Sequence, residues 1–154
     1  MVFQNEIAQR GKRIGAYLID IVPIAIIVFG IFYLFYDFDQ TLKAYFNRGT
    51  NIEPRTTFLK ERNRIREVSF LVWVVYCILM EASKKQGTFG KVLMGIKVVD
   101  ENKQRLTLLQ SIKRNTSKIV SYLFLFIGFI WIFFDKNKQG WHDKLSKTFV
   151  VEKS

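Results

Sequence analysis

The chain has 154 residues, of which 49% are hydrophobic and 16% aromatic, yet it carries a net charge of +11. Apolar and basic residues alternate in long blocks, which is typical of a small polytopic membrane protein with basic loops and argues against a soluble domain or a nucleic-acid partner. The single cysteine, Cys77, argues against a disulfide framework or a thiolate metal site.

The first apolar run, Ile14–Tyr36, contains one ionisable side chain, Asp20, and follows directly after Arg13. As a helix it would cover roughly 34 Å, which is enough to cross the hydrocarbon layer of a bilayer. The run is longer than the apolar region of a signal peptide, and no small-residue cleavage site follows it. We therefore expect a retained transmembrane helix over residues 14–36.

The segment Thr41–Glu53 is polar and is expected to be a loop that turns at Gly49. Glu53-Pro54 then resembles a helix start, since proline is tolerated in the first helical turn. The helix is predicted to continue to Ser83, with an apolar second half at residues 68–82. That half is short for a span, but the basic residues at its two ends can snorkel towards the headgroups and extend its usable length. We expect a second transmembrane helix here.

A glycine-rich segment follows the second helix. Gly87 and Gly90 are expected to form a tight turn at the membrane surface, and Gly95 is expected to allow close packing. Lys91 does not complete a phosphate-binding loop, because four residues should separate the glycines and Ser or Thr should follow the lysine. After this segment, Ile96–Asp100 is predicted to be a short strand.

The third apolar run, Ile119–Phe134, would reach about 24 Å as a helix, which is marginal for a crossing. If all three runs cross, basic residues are balanced between the two sides and give no orientation. If the third run re-enters, the basic excess lies on the side of the N-terminus, which would be cytoplasmic. Re-entry would also let Ile96–Asp100 pair with a second predicted strand, Thr148–Val151.

Arg13 and Asp20 share one face of the first helix but lie about 10 Å apart along its axis, too far for a direct pair. Arg13 can snorkel to the headgroups. A carboxylate at the depth of Asp20 costs several kcal/mol unless it is protonated, hydrated or paired. Two interpretations stay open for Asp20: a structural acid paired with a lysine or histidine of another segment, or an ion or proton site.

The only histidine, His142, lies beside Asp143 near the C-terminal strand. Adjacent residues point in different directions and form no ready-made dyad, and one histidine without cysteines is no zinc site. We favour a structural role for the pair, while a histidine that titrates near neutrality could instead sense or relay protons. No nucleophile–base pattern is visible, so we expect neither an enzyme nor a cofactor.

The order of these motifs resembles the RDD family of bacterial membrane proteins, which is named for one arginine and two aspartates. The match starts with Arg13-x-x-Ala-Tyr-Leu-Ile-Asp20 and continues through the glycine-rich segment Gly87–Asp100. It ends with Gly140-Trp-His-Asp-Lys-Leu145 and the final strand, and Arg114 fits a basic position before the third run. Asp143 is our choice for the second aspartate, with Asp100 as the other candidate. The resemblance implies transport of an unknown ligand, and cation/proton exchange in some members.

The sequence thus predicts a single all-α membrane domain over residues 1–154, with two transmembrane helices, a third spanning or re-entrant helical segment and a small surface β element. We expect a multi-pass inner-membrane protein that contacts anionic headgroups and transports a cation or another small solute as a homo-oligomer or with other subunits. The alternative is a non-transporting accessory or scaffold subunit. The expected polar site comprises Arg13, Asp20, His142 and Asp143, with Gly87, Gly90, Gly95 and Gly140 in turns and packing.

Overall fold

The computed structural model describes residues 6–123 and 127–153, without the side chains of 120–123, 127 and 129. Its helices, in chain order, are α1 Arg10–Phe35, α2 Phe38–Phe46, α3 Glu53–Glu81, α4 Phe89–Leu93, α5 Leu108–Leu123, α6 Ile127–Ile130, a 3-10 helix Trp131–Phe133 and α7 Trp141–Leu145. The strands are β1 Ile96–Asp100 and β2 Thr148–Glu152. The mainly helical architecture with a small sheet confirms that part of the predicted fold class.

The described residues form two compact units. The first comprises Met1–Asp20 and Val74–Ser154, and the second comprises Ile21–Trp73. The helices α1 and α3 contribute residues to both. Every predicted site residue lies in the first unit, which is therefore the one that matters for function.

The second unit corrects the loop predicted after the first helix. Residues Phe38–Phe46 form helix α2, because Phe38 and Leu42 recur at helical spacing and pack into an apolar cluster with Val28 and Phe32. The ring of Phe58 from α3 stacks on Phe38 at a centroid distance of 6.1 Å. Apolar periodicity thus outweighed the polar composition of this segment. The turn at Gly49 is present, with a φ of +55°.

The two predicted strands pair with each other in an antiparallel sheet, in which Val98 lies opposite Val150. A bridge between Ile7 and Val151 adds residues preceding α1 to the other side of β2. Below the sheet lies a core of buried apolar side chains: Ala8, Ala16, Ile96, Val98, Leu106 and Val150. The sheet therefore ties the segment before α1, the segment before α5 and the segment after α7 into one body.

Two glycines exchange the roles that we predicted for them. Gly95 has a φ of +67° and open space around it, so it makes the turn into β1. Gly90 lies inside α4, where an added Cβ would come within 2.2 Å of the Ala16 carbonyl oxygen. Gly90 is therefore the glycine that close packing requires, because α4 lies directly against the backbone of α1.

The helix that contains the start of the third apolar run begins before the run itself. Helix α5 starts at Leu108, upstream of the run, and the part of the run after Ile130 is a 3-10 helix. Residues 124–126 of the run lie outside the described part of the chain. Arg10 at the start of α1 donates hydrogen bonds to the carbonyl oxygens of Ile132 and Phe133, at 3.1 and 3.3 Å. The downstream end of the run is thus attached to the N-terminal end of α1.

Among the described residues, α1 is the one helix long and apolar enough to cross a membrane. Only 17% of its most apolar 18-residue stretch is buried, whereas the core helix of a soluble protein would be mostly buried. The membrane span predicted at residues 14–36 is thus supported by length, composition and exposure. Helix α3 contains the second predicted segment but does not pass the same criteria, so the second span stays a prediction.

Candidate functional site

Asp20 lies where α1, α3 and α4 meet, and its residue surface is 7% exposed. Its Oδ1 accepts a hydrogen bond from the backbone N–H of Gly90 at 2.8 Å and another from the Tyr76 hydroxyl at 3.1 Å. The same hydroxyl accepts the backbone N–H of Phe89 at 2.7 Å. Because both donors to Asp20 are neutral, they orient the carboxylate without cancelling its charge.

No salt bridge to Asp20 is present among the described residues. The first of our two interpretations, a structural acid paired with a lysine or histidine, therefore finds no such partner in the described part of the chain. Gly90 is essential to the observed arrangement, since an ideal Cβ there would also lie 3.0 Å from the carboxyl carbon of Asp20. The position thus holds a buried carboxylate with neutral ligands on one oxygen.

Arg13 does not snorkel to the headgroups, contrary to our prediction. Its Nη2 contacts Oδ2 of Asp143 at 2.5 Å, and its Nη1 donates to the carbonyl oxygen of Lys138 at 2.5 Å. Asp143 is fully buried and also accepts the backbone N–H of Gly140 at 3.0 Å, which caps α7. Arg13 therefore links the start of α1 to the segment that follows the third run.

Arg114 on α5 forms the centre of the buried ion-pair network. Its Nη2 contacts Oδ1 of Asp143 at 2.6 Å, and its Nη1 contacts Oε2 of Glu81 at 2.6 Å. The two carboxylates raise the pKa of the guanidinium despite its complete burial. In return, the charges of Arg13 and Arg114 hold the pKa of Asp143 well below its usual range, against the opposing effect of burial. Asp143 is therefore a structural anion that stays ionised at neutral pH.

Glu81 at the end of α3 is fully buried. Its Oε1 pairs with Lys91 of α4, and its Oε2 accepts the Asn115 amide at 2.9 Å as well as the guanidinium contact. Lys118 is 4% exposed and donates to the Asn115 amide oxygen at 2.6 Å. The network thus extends from Lys91 of α4 through Glu81 of α3 to Lys118, which lies one helical turn after Arg114 in α5.

The model of the RDD family matches residues 7–147, nearly the whole chain. The chain belongs to the RDD family. It is also 43% identical over 86 residues to the uncharacterized protein YxaI of Bacillus subtilis (strain 168), and the matched stretch covers 56% of each chain. The chain thus spans little more than half the length of this curated relative. No solved structure matches it significantly.

Membership of the RDD family, which is membrane-associated, fits the exposed apolar helix α1. We interpret Arg13 and Asp20 as the arginine and the aspartate of the first helix. For the second aspartate, the contact with Arg13 favours Asp143 over Asp100. The Oδ1 of Asp100 instead accepts the backbone N–H groups of Asn102 and Gln104, at 2.9 and 2.8 Å, and shapes the turn after β1. We retain Asp143 as the second aspartate.

In this RDD-family chain His142 is buried, and its Nε2 lies 3.3 Å from Oδ1 of Asp143. The two neighbours therefore do meet, contrary to the expectation that adjacent side chains diverge. Burial, with the charges of Arg114, Lys118 and Arg13, lowers the pKa of His142 to about 3 and outweighs the attraction of Asp143. The imidazole is neutral at physiological pH, which argues against a proton sensor near neutrality. An added Cβ on Gly140 would lie 2.8 Å from its ring.

Sequence reasoning missed most of the network, although a signal was present. Some polar residues of α5 recur at helical spacing and are buried, while the exposed residues of the helix are both apolar and polar, the latter including Lys113 and Thr116. The buried set comprises Ser111, Arg114, Asn115 and Lys118. The exposed apolar set comprises Leu108, Leu109, Ile112 and Ile119. The helical spacing of the buried polar set is the signal that could have predicted a polar cluster against α5.

Proposed function

We propose that this protein exchanges a cation across the bacterial inner membrane, with the carboxylate of Asp20 as its binding group. The observation that carries the proposal is the contrast between Asp20 and the two acids of the ion-pair network. Glu81 and Asp143 each contact two cationic side chains, whereas Asp20 has only neutral hydrogen-bond donors among the described residues. A buried carboxylate without a fixed counter-charge can be neutralised by a mobile one, either a proton or a metal cation.

The other predicted site residues have a supporting role in this proposal. Asp143 would have to give up contacts with two arginines before it could bind a cation, and His142 is neutral. Arg13 fixes the N-terminal end of α1 through Asp143, and so fixes the depth of Asp20, roughly 10 Å further along the helix. We therefore assign binding to Asp20 and positioning to Arg13, His142 and Asp143.

Binding at Asp20 calls for further ligands from outside one chain. Among the described residues, no group of three or more His, Cys, Asp or Glu side chains could hold a metal ion. A single carboxylate with two neutral neighbours supplies fewer oxygen atoms than a dehydrated cation requires. The proposal therefore includes a homo-oligomer, or other membrane subunits, that brings additional oxygen ligands to the exposed side of α1.

The proposed topology has two crossings, α1 and α3, and a third run that enters and leaves on the same side. The contact of Arg114 with Asp143 supports re-entry, because these residues flank the run and share an ion pair. The pairing of β1 with β2 supports it as well. This arrangement collects the basic excess on the side of the N-terminus, which we place in the cytoplasm beside anionic headgroups.

The test is ion flux in proteoliposomes that contain only this protein. Na⁺, K⁺ or Li⁺ gradients are applied, and proton movement is followed with a pH-sensitive dye. We expect flux in the wild type and at least a tenfold loss in Asp20→Asn, which keeps the shape and the hydrogen-bond acceptor. The matched control is Asp37→Asn at an exposed position after α1, which should retain wild-type flux.

Flux at the wild-type rate from Asp20→Asn would contradict the proposal. Absence of flux from well-folded wild-type protein would favour the accessory-subunit alternative. In that case a purification in mild detergent should recover a stoichiometric larger membrane partner, and Asp20→Ala should lose it. Recovery of the protein alone in both variants would contradict that alternative as well.

A further inference from the structure

The start of helix α4 is bound to a single carboxylate oxygen. The backbone N–H of Gly90 donates directly to Oδ1 of Asp20 at 2.8 Å. The N–H of the preceding residue, Phe89, donates to the Tyr76 hydroxyl at 2.7 Å, and that hydroxyl donates to the same Oδ1 at 3.1 Å. Two successive N–H groups of α4 thus depend on one oxygen of Asp20, and hydrogen bonds in such a series strengthen one another.

The side chains of α4 contribute less to its attachment. The helix has five residues, which is too few for stability without outside contacts. Phe89 and Leu93 are 55% and 59% exposed, and Lys91 forms an ion pair with Glu81 at the end of α3. The hydrogen bonds to Asp20 are therefore a major part of what holds α4 in place.

Helix α4 also covers Asp20. Its residue Gly90 lies so close to α1 that an added Cβ would come within 2.2 Å of the Ala16 carbonyl oxygen and 3.0 Å of the Asp20 carboxyl carbon. With α4 in this position, Asp20 is 7% exposed. A movement of α4 away from α1 would therefore open the carboxylate on the side where α4 lies.

The charge of Asp20 determines how strongly it holds α4. An ionised carboxylate accepts hydrogen bonds roughly twice as strongly as a neutral acceptor does. A cation or proton that binds Asp20 removes this charge and competes with the two donors for the oxygen lone pairs. The titratable groups that interact electrostatically with Asp20 include Tyr76 and Cys77 of α3, and the charged side chain of α4, Lys91, is paired with Glu81. Occupancy of Asp20 and attachment of α4 therefore oppose each other.

We propose that Tyr76 is the coupling residue of the exchange: together with ionised Asp20 it holds α4 in place while no ion is bound, and neutralisation of Asp20 by a cation or proton releases α4. An exchanger that changes conformation without a bound ion leaks one ion without moving the other. The hydrogen bonds to α4 oppose that step, because Asp20 is ionised whenever no ion is bound. Tyr76 is a positioning residue, since it acts through Asp20 and α4. This inference rests on the proposed function and adds the link between occupancy and movement.

The first test measures the attachment of α4 without transport. Deuterium uptake at residues 86–95 is followed by mass spectrometry on detergent-solubilised protein in choline chloride, with residues 96–100 as the internal reference. We expect about tenfold faster exchange at residues 86–95 in Tyr76→Phe and in Asp20→Asn, because each weakens the bonds to the N–H groups of α4. Tyr33→Phe, which removes a hydroxyl group from an exposed position of α1, is the matched control. Uptake at the wild-type rate in both variants, or equal acceleration at residues 96–100, would overturn the inference, whatever the flux.

The same measurement separates this inference from the proposed function. NaCl, KCl or LiCl of equal ionic strength replaces choline chloride. We expect at least one of these cations to accelerate exchange of α4 in the wild type and none to do so in Asp20→Asn. Faster exchange in both variants without any effect of the three cations would support the hold of ionised Asp20 on α4 and contradict cation binding at Asp20.

The second test measures coupling in proteoliposomes. The number of protons moved per cation is determined with nitrate present as a permeant anion, which dissipates the membrane potential. We expect Tyr76→Phe to keep cation movement while the number of protons per cation falls by about half or more, since the protein can then change conformation without a bound ion. Tyr33→Phe should retain the wild-type ratio. A proportional fall of both fluxes in Tyr76→Phe would indicate a purely structural role and overturn the inference.

Discussion

Arg114 and Asp143 flank the third apolar run, and their side chains meet at 2.6 Å. A run that crossed a bilayer would separate its flanking residues by roughly 30 Å. The contact is therefore the main reason for proposing that the run returns to the side from which it starts. It also explains why both residues are completely buried, since each provides the counter-charge that the other needs.

Cysteine labelling in intact cells tests this topology. In a Cys77→Ala background, Arg105→Cys before the run and Lys136→Cys after it should react with a membrane-impermeant maleimide from the same side. Thr50→Cys, between α2 and α3, should react from the opposite side. All three positions are exposed. Reaction of Arg105→Cys and Lys136→Cys from different sides would show that the third run crosses.

Substitution of Asp143 should destabilise the protein strongly. Asp143→Asn leaves Arg13 and Arg114 without their shared anion, and we expect the free energy of unfolding to fall by about 3–5 kcal/mol. The measurement is denaturant unfolding in detergent, with Glu101→Gln at an exposed position as control. Adding Arg13→Met to Asp143→Asn should recover part of the loss. Equal stability of Asp143→Asn and the control would contradict this account.

The buried imidazole should make the protein sensitive to mild acid. The unfolded state binds a proton at His142 near pH 6.5, whereas the folded state does so only near pH 3, so stability falls as pH decreases through this window. We expect a loss of about 2 kcal/mol between pH 7.5 and pH 5.0 from this residue alone. His142→Asn should remove that part of the pH dependence. Asp143 contributes only at lower pH, because the stability it provides is lost as pH falls below its unfolded pKa near 3.8.

Gly90→Ala should separate α4 from α1. The added methyl group would overlap the Ala16 carbonyl and press on Asp20, and such overpacking costs about 1–3 kcal/mol. Because the Gly90 N–H also orients Asp20, flux should fall together with stability. Gly11→Ala is the matched control: Gly11 is a helical glycine of α1, and nothing is within 4 Å of its added Cβ. If Gly90→Ala and Gly11→Ala had the same stability and the same flux, the close approach of α4 to α1 would be important for neither property.

Local patterns were sufficient to predict the secondary structure of the long segments. The limits of β1 follow from Ile96–Asp100 alone, and the start of α3 follows from Pro54. Pairing of β1 with β2 was expected from the need of each strand for a partner. Helix α2 was missed because its apolar positions only become informative once Phe58 of α3 is known to cover them.

The polar cluster could be predicted only in part, because its contacts join residues far apart in the chain. Asp20 was evident as a charge inside an apolar run. The burial of Glu81 depends on its ion pair with Arg114, which lies in another helix and 33 positions further along the chain. Arg13 shows the same limit: helical spacing excluded Asp20 as its partner, but nothing local identified Asp143.

The contact between Arg13 and Asp143 joins residues 130 positions apart and thereby sets an order of events during synthesis. A ribosome that has completed α1 has produced an arginine whose counter-charge will exist only on the order of ten seconds later. Until then the guanidinium must stay in water or among headgroups, so α1 can enter the bilayer but cannot reach its final depth. Completion of the first unit is therefore a late event that awaits the arrival of Asp143. Nascent chains stalled before that residue should be recognisably immature to membrane proteases.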